Sequence, residues 1–145
     1  MVEIKIKKMS DKCIIPTKAH DTDACFDIYN AEETAKWINS NSSAKFRTGF
    51  STEIPKGYFC PVFARSGLGI NKNLRPSNCV GVIDSDYRGE WIVALFNDGR
   101  GDQCIMPGDR IAQFAVLPVP EVKLIEVDEL ENTERGSGGF GSTGQ

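Results

Sequence analysis

Between Phe50 and Val119 the chain breaks into short apolar runs closed by turn-forming residues, and none carries the stripe of a long helix. Phe50, Thr52 and Ile54 alternate up to the turn Pro55-Lys56-Gly57. Tyr58 to Ala64, Val80 to Ile83, Trp91 to Phe96 and Arg110 to Val119 follow, with Asn97-Asp98-Gly99 and Pro107-Gly108-Asp109 between the later runs. Such runs, bounded by Gly, Pro, Asn and Asp, mark strands. Many in close succession predict an all-β sandwich or barrel. Val2, Ile4 and Ile6 alternate with charged residues in the same way. Ala31 to Asn39, AEETAKWIN, is the exception. Its residues favour a helix but give little stripe, so a short helix or an irregular loop is expected there.

At 145 residues, 40% of them hydrophobic, the chain suits one domain around one core. No apolar run nears the roughly 20 residues of a membrane span. The N-terminus lacks the apolar block of a signal peptide, so no membrane partner is expected. A net charge of −3 argues against binding a nucleic-acid polymer, because duplex-binding surfaces carry a basic excess. A local arginine cluster still suits a small anion. The five cysteines, at 13, 25, 60, 79 and 104, are odd in number and widely spaced. They fit neither a disulfide framework nor a zinc site, and reduced thiols in a cytoplasmic protein are expected. His20, the single histidine, lies in a polar stretch and reads as a surface residue.

Two segments concentrate chemistry. The first is GVIDSDYRG, residues 81 to 89, where an apolar run meets Asp84-Ser85-Asp86, Tyr87 and Arg88 before the next run begins. Acids in a corner either shape the turn or, once desolvated and hydrogen-bonded, accept a proton. The second is the glycine-rich end, with five glycines among residues 135 to 144. Gly136 to Gly141 matches GxGxxG but lacks the helix and distal acid of a dinucleotide fold, and no Lys follows as in a P-loop. Its composition fits a flexible linker, mobile beyond about Val127. It also fits a phosphate lid. Glycines let backbone N–H groups face an anion, Arg135 offers a bidentate clamp, and Phe140 can stack on a base.

Five segments together resemble the trimeric dUTPase family: DACFDIYNAEE at 23 to 33, ARSGLGI at 64 to 70, NCVGVIDSDYRGEW at 78 to 91, GDRIAQFAV at 108 to 116, and RGSGGFGSTG at 135 to 144. The resemblance implies a jelly-roll-like β-barrel over residues 1 to 127 and a flexible arm over 128 to 145. It implies a homotrimer whose active sites are each built from three subunits, with one tail closing over each. The implied activity is Mg²⁺-dependent hydrolysis of dUTP to dUMP and pyrophosphate, which limits uracil in DNA and supplies dUMP. Asp84 is then the base that activates water against the α-phosphorus, while Asp86 shapes the turn or pairs with an Arg. Tyr87 packs on the deoxyribose and rejects a 2′-hydroxyl. Asn78 and the hairpin backbone of Gly81, Val82 and Ile83 read uracil. Arg65, Ser66 and Gly67 meet the phosphates, Gln113 positions phosphate and water, and Asp27 holds waters of a Mg²⁺ carried by the phosphates. Arg135, Gly138, Gly139, Phe140, Gly141, Ser142 and Thr143 close over the nucleotide.

The chain departs from the family pattern in places. Ala64 stands where Pro is usual. Ala24-Cys25-Phe26-Asp27-Ile28 replaces Ala-Gly-Tyr-Asp-Leu. Residues 34 to 49 lack the usual Pro-Pro-Gly hairpin and are expected to form a surface excursion. Two other readings use the same pocket, a dCTP deaminase and a nucleotide-gated regulatory protein with its own protein partner.

Overall fold

The apolar runs fold as twelve strands and one short helix in a computed structural model that describes residues 1–139. In chain order the elements are β1 (Lys5–Lys8), β2 (Phe26–Tyr29), β3 (Lys36–Ile38), β4 (Ser43–Arg47), β5 (Phe50–Glu53), β6 (Tyr58–Phe63), α1 (Ser66–Lys72), β7 (Leu74–Pro76), β8 (Gly81–Ile83), β9 (Ile92–Asn97), β10 (Gln103–Ile105), β11 (Arg110–Phe114) and β12 (Leu117–Pro118). The pairing is antiparallel throughout. One sheet runs β12-β6-β11-β2 with β8 on β6, a second β4-β9-β7, and two ribbons pair β1 with β5 and β10 with β3. The fold is all-β, as the alternating runs predict. Among the described residues no helix is long and apolar enough to cross a membrane.

Between the sheets lies an aromatic chain. Trp91 sits 5.1 Å from Phe50 and 5.0 Å from Phe114, and Phe114 stacks on Phe26 at 5.3 Å. Trp91 is buried, and its indole N–H donates to Thr52 Oγ1 at 3.1 Å, so the ring loses no polar contact on entering the core. Buried Asn97 is satisfied in the same way: its amide donates to the Ile38 and Gly101 carbonyls, and its Oδ1 accepts from Gly99 N–H. Burying one such aromatic stabilises the fold by about 2–3 kcal/mol.

Three expectations need correction. Ala31 to Asn39 contains no helix. Lys36–Ile38 forms β3 and pairs with β10, with Trp37 62% exposed and Ile38 buried, which is a period of two. The helix-forming Glu and Lys residues are used otherwise: Glu32 accepts from Lys36 Nζ at 3.0 Å and from Arg47 N–H at 3.2 Å. Residues 34 to 49 are therefore no surface excursion. They carry β3 and β4, and Ile38 and Phe46 lie in the core. The run from Arg110 is not one strand either. It bulges between Arg110 and Ala112, breaks after Phe114, and resumes as β12. A further element went unread. Ser66–Lys72 is helical despite Gly67 and Gly69, and Asn73 closes it in the left-handed region at φ 54.

Candidate active site

The hairpin after β7 is shaped by local rules. Cys79 takes a left-handed φ of 63, and its N–H bonds Pro76 O at 2.9 Å, turning the chain back toward β8. Gly81 pairs with Val62, where an added Cβ would stand 3.1 Å from the valine Cβ. Glycine thus permits this close strand approach. The outcome is a groove of ≈ 340 Å³ lined by Asn78, Gly81, Val82 and Ile83 on one side and by Ile92 and Ala94 of β9 on the other. Its mostly apolar walls and the backbone of β8, paired with β6, suit a planar heterocycle.

Asp84 follows the last residue of β8 and opens a turn, with Tyr87 N–H bonding Asp84 O at 3.2 Å. Arg88 stiffens the corner by donating to Ser85 O at 2.7 Å and Tyr87 O at 3.2 Å. Arg88 therefore serves backbone carbonyls, and Asp86 forms no ion pair among the described residues. The Tyr87 hydroxyl donates to Glu90 O at 3.0 Å, and its ring lies where any side chain at Gly89 would collide with it. Asp84 is exposed and borders a different cavity, with Lys56, Tyr58, Phe59 and Val119.

A second set of the expected residues meets elsewhere. Asp27 on β2 and Gln113 on β11 are direct cross-strand partners. Asp27 accepts from Arg65 Nε at 2.6 Å and from Arg110 Nη1 at 3.2 Å, with Arg65 Nη2 farther at 3.5 Å. Its side chain is 14% exposed, and the contacts are charge-assisted, with Arg65 24% and Arg110 48% exposed. Gln113 Nε2 donates to Ala64 O at 2.9 Å, which fixes the strand end that delivers Arg65. Asp27, Arg65, Arg110 and Gln113 line one cavity of ≈ 300 Å³ with Cys25 at its edge. Burial pushes the Cys25 thiol up, against the lowering influence of Lys18. Ser66 and Gly67 open α1 beside Arg65, and both are exposed. Arg110 was not singled out from the sequence; its place within GDRIAQF was the available signal.

The site residues therefore fall apart in the single chain: Asn78, Gly81, Val82 and Ile83 line the groove, Asp84 borders a separate cavity just beyond β8, and Asp27, Arg65 and Gln113 line an arginine-bearing anion cavity with Arg110. The groove and the Asp27 cavity share no lining residue. Farther on, Arg135 is exposed, and its Nε donates to Gly138 O at 3.0 Å. Gly136 takes a left-handed φ of 53, which suits glycine. Gly138 and Gly139 end the described chain, while Phe140, Gly141, Ser142 and Thr143 lie outside the described residues.

The donor set bears on a divalent cation. Among the described residues no three His, Cys, Asp or Glu side chains converge. Asp23 and Asp27 both line the anion cavity; Asp23 accepts the His20 N–H, and Asp27, as an ionised carboxylate, has about four acceptor positions. Three N–H groups occupy Asp27, one of them distantly. One position remains, enough for a single water of a hydrated Mg²⁺ but not for a protein-held cage.

Known proteins resemble the chain along nearly its whole length. A family profile described as dUTPase matches residues 11–144. The deoxyuridine 5'-triphosphate nucleotidohydrolase of Clostridium acetobutylicum is 42% identical over 144 residues, covering 99% of this chain and 98% of its own. That of Crocosphaera subtropica is 41% identical, covering 99% of each. Among solved structures, the Staphylococcus bacteriophage 80alpha dUTPase G164S mutant with dUpNHpp superposes with a TM-score of 0.90 at 27% identity, covering 99% of each chain. The barrel is accordingly jelly-roll-like.

Proposed function

The chain belongs to the dUTPase family, and on that premise we infer that it hydrolyses dUTP to dUMP and pyrophosphate. The observation that carries this reading is the groove of Asn78, Gly81, Val82 and Ile83 with Asp84 the next residue along the chain, in a chain that matches the family over nearly its whole length.

Uracil enters the groove. Hairpin backbone groups and Asn78 meet its alternating O and N–H edge, and a fixed donor there rejects the amino group of cytosine. Tyr87 stands against the sugar, and a 2′-hydroxyl meets its ring. Asp84 takes the proton of the attacking water, which adds to the α-phosphorus in line with the departing pyrophosphate. Its exposure in the single chain means that substrate and neighbouring chains must complete its desolvation. Arg65, Arg110, Ser66, Gly67 and Gln113 receive the charge that grows on the phosphate oxygens. Mg²⁺, when bound with the substrate, supplies further charge neutralisation at the phosphates. Asp27 would reach one of its waters while holding both arginines in place.

We propose a homotrimer with shared sites, since the groove and the anion cavity of one chain are separate. Exposed Val80, Val82 and Ile92 flank the groove, and Val122, Leu124, Ile125 and Val127 stand exposed beyond the barrel. These apolar surfaces fit burial against other copies. In the same reading, residues 128 to 145 act as an arm, and Arg135, Gly138, Gly139, Phe140, Gly141, Ser142 and Thr143 cover the nucleotide. Five free thiols fit a reducing cytoplasm. A dCTP deaminase or a purely regulatory nucleotide sensor is not favoured, because the relatives named above are dUTP hydrolases by name. Pyrophosphate release tests the activity. Release from dUTP should exceed that from UTP, dCTP and dTTP by about 100-fold or more, the worth of a few lost contacts at about 1.4 kcal/mol per tenfold. Equal rates, or ammonia released from dCTP, would contradict it.

A further inference from the structure

Residues 34 to 49 end against the sugar-facing hairpin, and the contact is built from charged and backbone groups. Gly49 has a left-handed φ of 73, and an added Cβ would lie 2.9 Å from Cys13 Cβ and 3.0 Å from Ala31 Cβ. Glycine is thus required at the turn between β4 and β5. The Gly49 N–H donates to Glu90 Oε1 at 2.8 Å, and Arg47 Nε donates to Glu90 Oε1 at 3.2 Å and Oε2 at 3.1 Å. Thr48 Oγ1 donates to Trp91 O at 2.8 Å, and Trp91 N–H to Phe50 O at 3.0 Å. Glu90 and Trp91 are thereby laced to the β4–β5 turn. The Glu90 carboxylate is only 15% exposed, whereas the Arg47 side chain is 52% exposed. The carbonyl of this same Glu90 accepts the Tyr87 hydroxyl at 3.0 Å.

We propose that Glu90 is a positioning residue for sugar selection. Through Arg47 and the Gly49 amide it holds the carbonyl that orients Tyr87, and so it sets how firmly a 2′-hydroxyl is rejected. The proposal rests on the dUTP-hydrolase reading and on Tyr87 as the wall beside the sugar. A hydrogen-bonded tyrosine cannot swing aside for an extra oxygen, whereas a released one can. The β4–β5 turn, distant in sequence, thereby becomes part of the specificity apparatus.

The test is steady-state kinetics with dUTP and UTP on the full chain, for wild type, Glu90→Gln, Arg47→Ala, Tyr87→Phe and the Glu90→Gln/Tyr87→Phe pair. Glu90→Gln keeps an acceptor for the Gly49 amide but discards the charge that holds Arg47. Arg47→Ala acts from the solvent side and serves if the first variant folds poorly. Both should lower the dUTP/UTP ratio of kcat/KM by about tenfold, the scale of one orienting hydrogen bond. The change should lie in KM for dUTP and in a gain on UTP, with kcat for dUTP within about twofold. The pair should lose no more selectivity than Tyr87→Phe alone, because both changes release the same ring. An unchanged ratio in both Glu90→Gln and Arg47→Ala, alongside a lowered ratio in Tyr87→Phe, would overturn the proposal. So would equal losses on both substrates, the mark of a merely structural role. A wild type without preference for dUTP would instead bring down the functional reading beneath it.

Discussion

At the hairpin the proposed base, Asp84, stands in solvent, while the turn beside it is tied down by Arg88 on Ser85 O and by Tyr87 on Glu90 O. At the β2–β11 junction the arrangement is reversed. Asp27 is 14% exposed and already engaged by two arginines, and the cavity it borders is open for an anion. One region keeps its frame rigid and its acid free; the other spends its acid on holding cations in place. A base must be left unpaired until substrate arrives, whereas arginines aimed at phosphate need a counter-charge to stay aligned in its absence.

That contrast can be broken most sharply at the two acids. Asp84→Asn should lower kcat by at least about 100-fold, with the affinity for a non-hydrolysable dUTP analogue and the Tm nearly unchanged, because a free base contributes chemistry and little stability. A comparable loss of affinity would show that Asp84 is a binding group. Asp27→Asn should behave in the opposite way. It strands two guanidinium groups, so thermal unfolding should reveal a loss of about 1–2 kcal/mol, reduced from a fully buried pair by the exposure of Arg110. Binding of dUTP should weaken more than that of deoxyuridine, which has no phosphates to misplace.

Two smaller effects sharpen the same contrast. Burial pushes Glu32 up, but hydrogen bonds from Lys36 and the Arg47 amide outweigh it, and its carboxyl sits below the ordinary 4.5. A depressed acid adds stability that is complete above the unfolded value and disappears as pH falls through the folded one. The Tm gap between wild type and Glu32→Gln should therefore be constant at neutral pH and close below about pH 4.5. A gap that widened on acidification would reverse the sign. Lastly, a thiol reagent should modify exposed Cys79 at the hairpin before Cys25 beside Asp27, with Cys60 last, its thiol pushed by burial up to about 11. Mass spectrometry of partially labelled protein gives the order, and early loss of Cys25 would mean that the anion cavity is the looser region.

How much of this could be read in the residues depends on the distance over which they act. The hairpin was legible because Gly81, Asp84, Tyr87 and Gly89 lie within nine positions and each does local work. β5 was legible from alternation, and β6, β8 and β9 from short apolar runs closed by turn residues. β3 was not, since Glu32 and Lys36 look like helix formers until Arg47 and β10 compete for them. α1 was hidden by two glycines whose propensity argues against a helix. The Asp27–Arg65–Arg110 cluster joins residues up to 83 positions apart, and only the folded register of β2, β6 and β11 brings them together. Glu90 was hidden for the same reason, as its partners lie 41 and 43 positions away.

The claim on which the rest stands is that a working site takes its hairpin from one chain and its arginine cavity from another. Mixing two inactive proteins, Asp84→Asn and Arg65→Ala, under conditions that exchange subunits tests it directly. Some mixed sites would then pair an intact hairpin with an intact cavity, and dUTP hydrolysis should return to a sizeable fraction of the wild-type rate. If every site were built within one chain, each would keep its own defect, and a mixture that exchanged subunits yet stayed inactive would contradict the account.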